Sequence, residues 1–280
     1  MMRIFLISVM VSLATGAAFA QQRPLLTEDP ETVGAGRVLL EGGIEYDRDA
    51  MYPVSGLQGN LLRLPILGMS IGVSSIAEIQ IDQVSFSRLT ITGRQLAPLS
   101  DLVTATGSSS RDADDVMIGA KIRIAPEGTS RPAFGFRFAT KLPNAGNESG
   151  LGLDTTDFFS SILIGKTTQS VRIVGNIGLG ILGDPTNGNR QNDVVIYGLS
   201  FARAITNEAE VVGEANGRAN TRSAGPLPGT ESRSIVRMGL RYTRGGWRGD
   251  AALLLGATNQ DPGIGFTAGF TYAFTAFQVP

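Results

Sequence analysis

From residue 37 onward, short runs alternate apolar and polar residues. Ala77, Ile79 and Ile81 alternate with Glu78, Gln80 and Asp82. Ile118, Ala120, Ile122 and Ile124 alternate with Gly119, Lys121 and Arg123. Successive strand side chains point to opposite faces, so each run has one apolar and one polar side. The pattern predicts strands near 37–47, 57–71, 75–87, 114–125, 131–141, 154–166, 169–182, 192–203, 207–217, 231–243, 246–257 and 263–274. Connections after the even strands are brief, whereas those after the odd strands are mostly long: 48–56, 88–113, 142–153, 183–191 and 218–230, with 258–262 the short exception. Short turns on one side and long loops on the other are the habit of barrels that cross an outer membrane. A soluble β-sandwich has no reason to keep it. The expected fold is therefore all-β, a transmembrane antiparallel barrel of about 12 strands, with 10 or 14 as the other counts that the pattern allows.

The apolar faces fit a lipid-facing wall. Phe134, Phe136 and Phe138 share one face, as do Phe158, Ile162 and Ile164. On the last strand Ile264, Phe266, Ala268, Phe270, Tyr272 and Phe274 all point one way. The opposite faces carry charges rather than the mild polar coat of a soluble sheet.

The chain ends add an address. Met1-Met2-Arg3, a mostly apolar stretch from Ile4 to Ala18 and the small residues of Ala18-Phe19-Ala20 read as a secretory signal cut after Ala20. The expected organisation is a signal peptide at 1–20, a periplasmic leader at 21–36 and a barrel at 37–280 in a bacterial outer membrane. Asp29-Pro30-Glu31 resembles a helix start, with an acid at the N-cap and proline next, sufficient for one turn. No later run is long and apolar enough for a membrane helix. The 36 glycines suit bending strands, and the absence of cysteine means an exported fold without disulfides. A net charge of −1 points away from nucleic acid. With no histidine, the commonest general base is missing, so the expectation is a protein that is not an enzyme and uses no cofactor or metal.

With apolar faces outward, a defined charge set faces the lumen: Glu41, Glu45, Glu78, Asp82, Lys121, Arg123, Arg137, Arg172, Glu210, Glu214, Arg233, Arg237, Arg241, Arg248 and Asp250. Acidic strands lie beside basic ones at Glu78/Asp82 with Lys121/Arg123, and at Glu210/Glu214 with the arginines 233, 237 and 241. Such a set serves as a cross-strand ion ladder filling a narrow lumen or as a selectivity lining for a solute. Other chemistry is weaker. Gly178-Leu179-Gly180-Ile181-Leu182-Gly183 matches a dinucleotide fingerprint in letters but ends a strand instead of opening a helix. Asp112, Asp114 and Asp115 read as a solvated loop rather than a cation site. Glu210 and Glu214, about 13 Å apart along a strand, are too far for a glycosidase pair.

Two resemblances sharpen this. Gly269-Phe270-Thr271-Tyr272-Ala273-Phe274 resembles the C-terminal signal read by the barrel-assembly machinery, through Gly269, Tyr272 and Phe274, although six residues follow Phe274, with Phe277 a second candidate. Pro24-Leu25-Leu26-Thr27-Glu28-Asp29-Pro30-Glu31-Thr32-Val33 through Gly42-Gly43-Ile44-Glu45-Tyr46 resembles the start of the outer-membrane transporters of the phenol-degradation meta-pathway (MetA-pathway-like) family. That resemblance implies a barrel that moves aromatic or other hydrophobic compounds. The expected function is an outer-membrane channel or transporter for a small molecule, with outer-membrane lipid as its surroundings. The alternative is a structural or adhesion barrel whose lumen is plugged by its own charges and the 88–113 loop.

Overall fold

The computed structural model describes residues 23–278, so the signal peptide expected at 1–20 lies outside the described residues. The strands are β1 (Arg37–Tyr52), β2 (Leu57–Gly72), β3 (Ala77–Arg94), β4 (Ser109–Ala113), β5 (Met117–Ala125), β6 (Ala133–Lys141), β7 (Asp157–Thr168), β8 (Val171–Gly183), β9 (Gln191–Ala204), β10 (Ala209–Asn220), β11 (Arg233–Arg244), β12 (Trp247–Gly256) and β13 (Ile264–Thr275). All but β4 form one closed antiparallel ring of twelve strands. β13 seals it against β1, with Arg37 opposite Thr275 and Arg48 opposite Ile264. β4 pairs only with the far half of β3, so the wall there continues beyond the point where β5 leaves it. Part of the segment read as the long 88–113 connection is therefore wall.

Twelve strands follow from twelve alternating runs, and the short connections are hairpin turns. Gln169 and Gly245 take positive φ in two of them, 55° and 63°, which lets the chain reverse within a few residues. All these turns share one rim with the start of β1 and the end of β13, hereafter the terminal rim. The long connections gather at the opposite, loop rim. There Ser55 Oγ donates to the Gly150 carbonyl at 2.7 Å, and Arg218 Nη2 donates to that of Gly229 at 2.8 Å, tying the loops to one another and to the wall.

Outward side chains form a belt of exposed apolar residues, including Phe138, Phe158, Ile162, Leu253 and Phe270. In water such a belt would drive aggregation; in a bilayer it is the solvated surface. At the terminal rim Trp247 stacks on Tyr272 at 4.3 Å, and Tyr272 on Phe274 at 5.5 Å, an aromatic cluster suited to a membrane boundary.

The chain enters β1 through a tight contact. Gly36 N–H donates to the Gly72 carbonyl at 2.9 Å, and a Cβ on Gly72 would collide with the Gly34 carbonyl oxygen. Both sides of this contact are backbone, so neither yields. Gly72→Ala is expected to destabilise the barrel by about 1–3 kcal/mol, the usual cost of overpacking. Gly175→Ala, whose Cβ meets nothing within 4 Å, is expected to be neutral. The temperature at which the compact gel form converts to the extended form separates the two.

Candidate functional site

The lumen is crossed by the chain's own leader. The sequence reading leaves 21–36 in the periplasm with a helical turn at Asp29-Pro30; instead, residues 23–33 run without helix through the barrel's half nearer the terminal rim. Asp29, read as a helix cap, turns the chain by accepting Glu31 N–H at 2.9 Å, and its carboxylate is held by Arg172 through Nε (2.9 Å) and Nη2 (2.7 Å).

The leader is bonded to the wall along its length. Val33 N–H donates to Glu78 at 2.6 Å, and Glu31 pairs with Arg123. Glu28 exchanges backbone bonds with the Asn176 side chain at 2.7 and 2.8 Å, while its carboxylate meets Lys121 at 3.3 Å and Arg137 at 3.0 Å. Glu214 accepts Leu26 N–H, Thr27 N–H and the Thr27 hydroxyl at 2.7–3.0 Å. Arg23 reaches Asp250 at 3.3 Å and Thr267 at 3.1 Å, and its backbone N–H donates to Glu41. Missing side chains in the wall make room for this path. A Cβ at Gly43 or Gly269 would strike the Arg23 guanidinium, one at Gly198 would meet Thr27, and ones at Gly135 and Gly165 would press on Pro30. Gly269, part of the proposed assembly signal, thus also has a packing role within this barrel.

The charges named from sequence sit on the inward faces and find partners. Glu78 lies opposite Lys121 in register, 3.0 Å apart, and Glu214 lies opposite Arg237 at 2.9 Å. Glu210 faces Arg241 and Arg248 at 3.9 and 3.8 Å, and Arg241 also donates to the Arg23 carbonyl. Asp82 pairs with Arg137 at 3.0 Å, and Glu45 with Arg63 at 2.7 Å. Arg233 donates to the Met51 carbonyl near the loop rim. Lys121 and Arg137 are directly opposite each other, a like-charge contact that would repel; Glu28 bridges them. The basic wall of β5–β8 is thus balanced by the leader's Glu28, Asp29 and Glu31. These three, along with Arg23, Asp47 and Arg63, are missing from the luminal charge set expected from sequence, although an acidic run facing an excess of bases is a readable signal. At the terminal rim Arg172 also pairs with Glu127 at 2.6 Å. Burial would raise the Glu127 carboxyl, but hydrogen bonds from Thr167 and Lys166 and the charge of Arg172 hold it below its ordinary value.

On the loop side of the leader lies a cavity of about 540 Å³, sharing Met117, Phe159 and Ile235 with a neighbouring space of about 520 Å³ that extends to the rim loops. Ile196 lines the first as well. This apolar inner surface departs from the simple expectation of a polar lumen. Its signal lies in doublets such as Phe158-Phe159, Val195-Ile196 and Ile235-Val236, which place apolar residues on both faces at once.

The architecture is that of outer-membrane β-barrels. No protein-family model matches the chain, and no curated protein matches its sequence. Among solved structures, the COG4313 outer membrane channel from Pseudomonas putida F1 aligns with a TM-score of 0.61 at 11% identity, over 88% of this chain and 98% of that one. The translocator domain of autotransporter NalP from Neisseria meningitidis aligns with a TM-score of 0.50 at 13% identity, over 86% and 89%. The NanC porin gives 0.50 at 9% identity, over 84% and 98%. At such identities the likeness establishes a shared fold.

Proposed function

We propose that the protein is an outer-membrane channel for small molecules bearing a hydrophobic or aromatic part, and that its leader limits passage. The observation that carries this reading is the leader itself: it crosses the lumen and leaves, on its loop side, a cavity of about 540 Å³ that mixes Phe159, Ile196 and Ile235 with charges, of which Arg23, Glu28, Asp82 and Arg137 are engaged in ion pairs. A cavity of that size suits a small organic molecule. The charges paired in this way select weakly among ions, so an uncharged or weakly charged solute fits them better. The resemblance of residues 24–46 to transporters of the phenol-degradation meta-pathway supports the same substrate class. In this reading a signal peptide cut after Ala20 delivers the chain, the assembly machinery reads β13 through Gly269, Tyr272 and Phe274, and the terminal rim faces the periplasm.

The absence of cysteine makes a clean test available. The position of a Cβ on Gly198 lies 3.4 Å from the Thr27 Cβ, close to the separation a disulfide needs. In Thr27→Cys/Gly198→Cys, oxidation is expected to pin the leader and lower conductance and solute flux in planar bilayers below the wild type, with reductant restoring them. Equal flux in both redox states, each matching the wild type, would mean that the leader does not limit passage. The alternative is a structural or adhesion barrel with a closed lumen, favoured by the density of leader-to-wall bonds. It predicts no flux in the wild type or in any leader variant.

A further inference from the structure

Arg88 on β3 and Arg111 on β4 are register partners. Their neighbours Ser87, Leu89 and Ser110 are buried, so the two arginines occupy the outward face, where both are exposed. Residues directly opposite on antiparallel strands have Cα atoms only about 4.5–5.5 Å apart, and like charges there are destabilising. Neither guanidinium makes an ion pair or side-chain hydrogen bond among the described residues. On these two strands no acid shares this face: β3 contributes Val84, Phe86, Thr90 and Thr92 around Arg88, and Ser109 and Ala113 flank Arg111; Asp49, across β2, pairs with Arg48. Two cations are thus held together by the sheet with nothing from the chain to balance them.

Their height is as telling as their charge. Below them on the outer face stand Phe86, 62% exposed, and Leu64, 53% exposed, the upper end of the apolar belt on this wall. Immediately above lies a polar row, with Thr90 opposite both Ser109 and Asn60. The pair therefore sits where the belt gives way to polar residues, on the loop side of the barrel.

We propose that Arg88 and Arg111 bind a phosphate group of a phosphorylated glycolipid in the outer leaflet, its acyl chains lying on Phe86 and Leu64 and the hydroxyls of Thr90 and Ser109 facing the headgroup. Guanidinium suits phosphate because its planar fork donates two parallel bonds. An anion between the arginines converts their repulsion into two attractions. The assignment needs the barrel's orientation in the outer membrane but not its transport function, so the two stand or fall separately.

The test uses the mature protein in detergent micelles with diphosphorylated lipid A, its dephosphorylated form and inorganic phosphate, read by native mass spectrometry. Diphosphorylated lipid A is expected to bind, and Arg88→Gln/Arg111→Gln to weaken it by at least about tenfold, equivalent to ~1.4 kcal/mol. Arg203→Gln/Arg244→Gln removes the same charge elsewhere and is expected to leave binding unchanged. Undiminished binding in the first variant, an equal loss in the second, or no preference for the phosphorylated lipid would overturn the proposal. So would displacement of the lipid by an equal concentration of inorganic phosphate, which would mark a free-anion site. A second measurement is independent of binding. Without lipid, Arg111→Gln is expected to leave the barrel's melting temperature unchanged or higher, because it relieves repulsion; a clear drop would show that the arginines already have partners within the chain and would count against the site.

Discussion

Barrels lacking residues 23–33 are expected to conduct several-fold more than the wild type and to shift toward anion selectivity. The size of the effect follows from what the leader occupies. It crosses the lumen between β3 and β5 on one side and β10 and β12 on the other, with backbone N–H groups donating to Glu78 and Glu214 and side chains reaching Lys121 and Asp250. A ring of twelve strands is wide enough to pass small solutes once such a segment is gone, since closure by side chains alone is typical of about eight strands. The selectivity shift follows from charge. The deletion removes three acids, Glu28, Asp29 and Glu31, and one base, Arg23. Lys121, Arg123, Arg137 and Arg172 then lose leader partners and face water, and a ring of bases favours anions. Reversal potentials in a salt gradient, measured with single-channel conductance, give both quantities. Retained heat-modifiable mobility shows that the shortened barrel is folded. A folded deletion variant with wild-type conductance would sink the idea that the leader limits passage.

The wild-type protein need not lose the leader to work. Each leader bond to a charged group contributes about 1.5–3 kcal/mol, but a displaced leader regains about 1–2 kcal/mol of backbone entropy per residue, so the net cost of displacement is much smaller than the sum of the bonds. A displaced state lying a few kcal/mol above the seated one would be a minor population that a solute could enlarge by binding it more tightly.

The wall was legible in the sequence because hairpin turns and period-two alternation are local. The leader's place was not, because it depends on pairs far apart in the chain, such as Asp29 with Arg172 and Glu28 with Lys121. Local reasoning gave Asp29-Pro30 to a helix start, and tertiary charge pairing overrode that preference. The far half of β3 was lost for a different reason. Gln83 takes φ 61°, and the inward set changes from Glu78, Gln80 and Asp82 to Ser85, Ser87 and Leu89. A bulge that shifts the phase by one residue breaks a two-residue template, so the run seemed to end near 87. The same irregularity separates β3's pairing with β5 from its pairing with β4. The inner apolar surface escaped because doublets such as Phe158-Phe159 satisfy the outward pattern while adding a second, inward residue.

Lys121→Met is expected to be the most damaging single substitution, lowering barrel stability by about 3–5 kcal/mol, the usual cost of breaking a buried pair from one side. Lys121 is fully buried, with Glu78 at 3.0 Å and Glu28 at 3.3 Å. Glu28 keeps Arg137 when the lysine goes. Glu78 does not fare as well: its side chain is 0% exposed, and only Val33 N–H and the Gln80 amide remain to it. The damage lies in that stranded carboxylate rather than in a lost attraction, so adding Glu78→Leu to Lys121→Met should restore most of the stability. About 1 kcal/mol should stay missing, because Val33 N–H no longer has its acceptor. Urea titration of the refolded barrels, followed by gel mobility, measures all three states. A double variant as unstable as Lys121→Met, or less stable, would show that the ladder holds the wall by attraction. Arg48→Ala provides the contrast, since Arg48 and its partner Asp49 are both exposed and the loss should cost no more than about 1 kcal/mol.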